Sequence, residues 1–162
     1  MRKLFINTFA AISLLSANVT MADYSLADPI SEPLPYSVID QGVYSVEESK
    51  KLEVITDQGT LAARYYAENP SGGTGLPIID FNEYLVLGIY MGTQPSGGFM
   101  IEVADVREKE NKVIATVNSI EPGKRCAVIT SLTSPYQLVQ VKIPHAPMQV
   151  VFKETNQVME CE

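Results

Sequence analysis

Few residues in this chain are of types that do chemistry, and their spacing limits what they can do. His145 is the single histidine. Nucleophilic hydrolysis needs a Ser or Cys with a base in reach, and His145 is the sole imidazole for that role. It lies between Pro144 and Pro147, in a stretch that reads as a turn. The chain contains no Gly-x-Ser-x-Gly elbow. His145 therefore reads as a surface residue, and no catalytic residues are assigned. Acids are plentiful, but Glu108, Glu110, Glu154 and Glu160 fall in polar stretches. Asp80 differs, because it follows Ile78-Ile79 and precedes Phe81 at the end of an apolar run. A paired-carboxylate mechanism needs a second acid at a set separation, and none is indicated. Asp80 and Phe81 are assigned structural roles, with Asp80 capping the turn at Asn82-Glu83. The strings Gly72-Gly73-Thr74-Gly75 and Gly97-Gly98 do not precede a helix with the Gly-Lys-Ser/Thr signature of a phosphate loop. They read as turn glycines, and no cofactor is expected.

The remaining chemistry is thiol chemistry, and it depends on compartment. The chain opens Met1-Arg2-Lys3, continues apolar from Leu4 to about Ser16, and then reaches Ala17-Asn18-Val19-Thr20-Met21-Ala22. This is the order of a secretory signal peptide. Its apolar stretch is roughly a dozen residues, short of the ~20 that span a bilayer. Cleavage is placed after Ala22, with Ala17 as the other position, so residues 1–22 are read as a signal peptide. No cysteine adjoins the site, which closes the lipoprotein route. Two positive residues before a short apolar stretch point to Gram-negative-type export, with a periplasmic or secreted product. Export permits a disulfide. Cys126 and Cys161 are the only cysteines, and the even count favours pairing them over two free thiols. A zinc site needs about four ligands, so no metal is expected. On the chain-entropy picture this bridge stabilises the fold by roughly 3–4 kcal/mol.

The net charge is −7, and loss of Arg2 and Lys3 with the signal makes the chain more acidic still. An acidic chain without a basic stripe repels phosphate backbones and anionic lipid alike. No nucleic-acid partner is expected, and no membrane partner once the signal is removed.

Residues 23–43 carry Pro29, Pro33 and Pro35 among Ser, Asp and Glu, and read as an extended lead-in, with Ile39 and Val43 candidates to begin an edge strand. One domain is then read over 44–162. Lys51–Ile55 reads as a strand. Thr56 or Asp57 caps a helix over 58–68 whose apolar face includes Leu61 and Tyr65. Tyr84–Met91 is nearly continuous apolar, as in a strand covered on both faces. Period-two alternation follows at Phe99, Ile101 and Val103, and again at Val113, Ala115 and Val117. Further strands are expected at Cys126–Ile129, at Tyr136–Ile143, and where Met148, Val150 and Phe152 alternate. Short strands between Gly/Pro turns predict a mainly β (α+β) fold: an antiparallel β-sandwich or curled sheet with one packed α-helix.

Several features occur in a recognisable order. They are Ile79-Asp80-Phe81, an apolar strand ending at Gly92, Gln94-Pro95-Ser96-Gly97-Gly98-Phe99, a Pro122-Gly123 loop, and Thr133-Ser134-Pro135-Tyr136. In that order they resemble the PrcB C-terminal domain family of secreted bacterial proteins. That family shows a strand-end Asp-Phe, a Pro-Thr-Gly-Gly-Tyr loop and a Thr-Ser-Pro-Tyr strand entry. Here Ser96 stands for Thr and Phe99 for Tyr. The resemblance implies a non-catalytic accessory domain that assembles or stabilises a secreted protease or another exported protein partner. The partner-binding residues then expected are Pro95, Ser96, Gly97, Gly98, Phe99, Pro135 and Tyr136; Tyr90 is a further aromatic, but on its continuous apolar strand core packing is the stronger reading for it. The Pro95–Phe99 string is also similar to a loop of chagasin-type cysteine protease inhibitors, although Gln94 replaces their Asn and Gly97 their second Thr. That likeness gives the alternative expectation, a protease inhibitor.

Overall fold

The run from Tyr84 to Tyr90 forms a strand whose alternate side chains enter two different cores. The computed structural model describes residues 31–72 and 75–161. The signal peptide expected over 1–22 lies outside the described residues. The strands in chain order are β1 (Glu32–Pro33), β2 (Tyr36–Gly42), β3 (Lys51–Ile55), β4 (Tyr84–Tyr90), β5 (Met100–Lys109), β6 (Lys112–Pro122), β7 (Tyr136–Lys142) and β8 (Gln149–Met159). They form two sheets, ordered β1-β5-β6-β8 and β2-β7-β4-β3. Leu85, Leu87 and Ile89 of β4 face the other sheet, meeting Val103 and Val106 of β5 and Val113, Ala115 and Val117 of β6. Val86 and Tyr90 face the opposite way, onto the only helix among the described residues, α1 (Gln58–Glu68). The architecture is thus sheet, sheet and helix in three layers.

Local sequence explains α1. Asp57 is its N-cap, accepting a hydrogen bond from the Thr60 amide at 2.8 Å and another from the Thr60 hydroxyl at 2.7 Å. Those bonds hold the Asp57 carboxyl below its ordinary pKa. Leu61 and Tyr65, four apart, are the buried pair. Asn69 closes the helix, and its amide reaches back to the Tyr65 carbonyl at 3.0 Å.

The expected mainly β sandwich with one packed helix is found, and two details of it are corrected. The sheets are not wholly antiparallel, because β6 and β8 pair in parallel, from Lys112↔Gln149 to Pro122↔Met159. The reason is connectivity. β7 crosses to the other sheet and carries the chain back to the end where β6 began, so β8 must run in the direction of β6. Second, Cys126–Ile129 is not a strand. Within the stretch read as a lead-in, β1 joins one sheet and β2, which contains Ile39, is an edge strand of the other, as Ile39 suggested.

One polar side chain is built into the space between the sheets. The register of β5 shifts between Val103 and Asp105, and beside this bulge the Val103 amide donates to Gln137 Oε1 at 2.9 Å. Gln137 Nε2 in turn donates to Gln41 Oε1 at 3.0 Å. Gln137 shares the inward parity of Val139 and Val141, and it satisfies a buried donor that an apolar residue would leave unmet.

Candidate functional site

The loops following β2, β4 and β6 and the end of β8 meet at one end of the sandwich. Four bonds stitch them together. Gly97 N donates to Ile129 O at 2.9 Å, Gln94 N to Thr133 O at 2.7 Å, Thr133 Oγ1 to Ser96 O at 2.8 Å, and Ser134 N to Val43 O at 2.8 Å. The parallel course of β8 brings Cys161 to this end, where it is disulfide-bonded to Cys126 with Cα atoms 5.0 Å apart. Gly123 N donates to the Met159 carbonyl beside the bridge. The 123–135 segment, without regular strand structure over most of its length, is therefore fixed at both ends and in the middle.

Glycine is required at two positions by that stitching. A Cβ on Gly97 would fall 2.7 Å from Ile129 Cγ1. Gly98 has φ +85°, and its Cβ would fall 2.8 Å from Val128 Cγ1 and 3.0 Å from Pro122 Cβ. Thus the glycines let the 92–99 loop lie against the disulfide-bound loop.

These loops expose apolar side chains beside the charged Lys124, Arg125 and Glu160. Tyr44 and Ile129 are each 61% exposed, Val46 60% and Leu132 64%. Between residues 43–44, Gly97–Phe99, Cys126–Ile129 and Met159 lies an open cavity of about 310 Å³. A second groove of about 330 Å³ adjoins it, lined by Gln41–Val43, Phe99–Glu102 and Pro135–Gln137, with Val43 and Phe99 common to both. Residues 43–46 are held from beneath by the last residue of α1. Glu68 accepts from Ser45 Oγ at 2.9 Å and from the Val46 amide at 3.1 Å. Burial raises the pKa of this carboxyl despite those bonds.

The expected site residues divide. Pro95 is exposed at the rim and Ser96 half-buried, its hydroxyl on the Gly97 carbonyl at 3.1 Å. Gly97 is buried and Gly98 half-buried. Phe99 packs partly into the core between the sheets while lining both cavities. Tyr90 is buried in the core, the reading its apolar strand favoured, while Pro135 and Tyr136 are also buried but line the second groove. The Tyr136 ring lies in the core under α1, stacked near Tyr90 at 6.3 Å between centroids, with its hydroxyl on Asp40 at 2.9 Å. Presenting either tyrosine to a partner would open that core. Asp80 forms the turn cap: Asp80 Oδ1 accepts from the Asn82 amide at 2.9 Å, and this bond lowers its pKa. Phe81 packs against the helix-side core. Both lie at the opposite end of the sandwich, as does exposed His145 on the turn between β7 and β8.

Sequence reasoning missed the exposed apolar residues Tyr44, Val46, Ile129 and Leu132. A signal was present: Ile129-Thr130-Ser131-Leu132 is apolar at its ends, without period-two alternation, next to Ser134-Pro135. Apolar residues without a period do not show which element would bury them.

The family model described as PrcB C-terminal matches residues 85–142, which bears out the resemblance to that family. The matched stretch runs from β4 through β7 and includes the 92–99 and 123–135 loops. No curated protein and no solved structure matches the chain.

Proposed function

We propose that this chain is an exported, non-catalytic accessory domain that docks a protein partner on the apolar loop end of its sandwich, the partner being a secreted protease or a protein of its complex. The family match supports an accessory role around a protease complex. The observation that carries the docking surface is the exposed cluster of Tyr44, Val46, Ile129 and Leu132 on loops held by a disulfide and backbone bonds. Large apolar side chains exposed together at one end of a domain favour an interaction site. Pre-fixed loops lose little entropy on docking, which favours affinity. Phe99 contributes from the cavity wall, and the Pro95–Gly98 string acts chiefly by holding the loops together.

The test is a pull-down from the envelope and medium of the producing cell, comparing the parent chain with an Ile129→Glu/Leu132→Glu variant of unchanged circular dichroism. A protease or protease-complex protein recovered by the parent and lost with the variant supports the reading. Equal recovery by both chains removes the loop end as the docking surface. Assay of a recovered protease with and without the domain then separates an accessory role from inhibition.

A further inference from the structure

Strand edges are the other unpartnered feature of the fold, and the four differ. β1 has two residues and contains Pro33. β2 follows Pro35 and shifts register between Val38 and Asp40. β3 has five residues beside a charged network, in which Glu53 binds Lys51 and Arg64 at 2.9 Å each. Short length, proline, bulges and charge are the usual means of blocking edge-to-edge pairing. β8 has eleven residues, unbroken register with β6, and neither proline nor glycine. Its outer side meets no other strand among the described residues.

The backbone shows which groups are free. The Met159 carbonyl accepts from Gly123 on the β6 side. By strand alternation the odd residues face β6, and the N–H and C=O groups of Val150, Phe152, Glu154, Asn156 and Val158 face outward. Water satisfies such a row singly, and another extended strand satisfies it as a ladder.

We propose that this strand is a second copy of β8, paired antiparallel about a twofold axis at Thr155 and joining two four-stranded sheets into one. The sequence selects that register. Axes at Lys153 or Glu154 oppose like charges directly, which is destabilising. The axis at Thr155 opposes Thr155 with itself, Glu154 with Asn156, Lys153 with Gln157, Phe152 with Val158, and Val151 with Met159. Polar faces polar and apolar faces apolar, because the strand is apolar, polar and apolar again about its centre. Val158, 58% exposed, gains an aromatic neighbour. Glu154 enters the interface already paired with Lys50. A single strand pair is a small interface, so association depends on concentration.

Thr155 forms a non-hydrogen-bonded pair in this register, with Cα atoms about 4.5 Å apart, within disulfide reach. Two copies of Gln157 are offset by roughly 13 Å along the strand, beyond it. The experiment is sedimentation of the purified protein from micromolar to millimolar concentration, with mild oxidation of Thr155→Cys and Gln157→Cys variants. The expected result is a mass rising towards twice the monomer, and a cross-linked dimer from Thr155→Cys alone. Asn156→Pro removes one outward N–H and spares the β6 ladder. It should stay monomeric with unchanged circular dichroism; if it does not fold, the cysteine pair decides. A parent monomeric at the highest concentration without a Thr155→Cys cross-link overturns the proposal. So does cross-linking of Gln157→Cys as readily as Thr155→Cys.

Discussion

The two ends of the sandwich solve the same problem, reversing the chain, by different means. At one end two of the turns are short and polar, beside the longer 69–83 connection that exposes Ile78. Glu110 and Asn111 take φ of +52° and +61° to link β5 to β6, and Asp80 caps its own turn through Asn82. At the other end the chain crosses between sheets on longer loops, and these expose Tyr44, Val46, Ile129 and Leu132. Short hairpin turns satisfy their backbone locally. The long loops take partners from distant segments, from Gly97 with Ile129 to Cys126 with Cys161. A rigid apolar loop end is a surface fitted to bind, whereas a rigid polar turn only connects.

The largest test of this contrast is removal of the disulfide. A Cys126→Ser/Cys161→Ser variant is expected to lose roughly 3–4 kcal/mol of stability in denaturant melts. Faster amide exchange is expected in residues 123–135 than in the turns at 80–84 and 109–112. Equal acceleration at both ends would show that the loop end has no special dependence on the bridge.

Glycine substitution gives a smaller effect. Gly98→Ala places a Cβ against Val128 and Pro122 at positive φ, and is expected to cost about 1–3 kcal/mol. At the other end, Asn111→Gly keeps a conformation glycine accepts readily, and should shift the urea midpoint little. A reversed ranking would break the comparison.

The smallest effect is electrostatic and opposite in sign at the two ends. Hydrogen bonding lowers the pKa values of Asp57 and Asp80, so their stabilisation holds above the unfolded aspartate range and is lost as pH falls through their folded values. Burial raises that of Glu68. Its contribution is full below the unfolded value and declines as pH rises through the folded one. Urea midpoints measured between mildly acidic and neutral pH should show this decline in the parent and not in Glu68→Gln. Asp80→Asn should flatten only the loss at lower pH. Identical pH profiles for all three chains would remove this distinction.

Local signals carried much of the fold into the sequence. Thr56 or Asp57 before Leu61 and Tyr65 marked the helix start and its buried face, and the run at Tyr84–Met91 marked a strand covered twice. The burial of Tyr136 was not legible, because an aromatic after a Pro-containing turn looks the same whether it points to solvent or beneath a helix. Gln137 was legible only as a polar residue on an apolar face, since its donor, the Val103 amide, is 34 residues away.

By itself the sequence determined the secondary-structure periods, the acidic charge, the one cysteine pairing that two cysteines allow and the motif order that resembles the PrcB C-terminal family. These follow from neighbours in the chain, from composition, or from a choice with only one partner. Tertiary structure alone decided the parallel course of β8, the burial of Tyr136, and the gathering of Tyr44, Val46, Ile129 and Leu132 at one end. Each depends on which sheet receives a strand, a choice fixed by packing across the whole domain and not by any local run of residues.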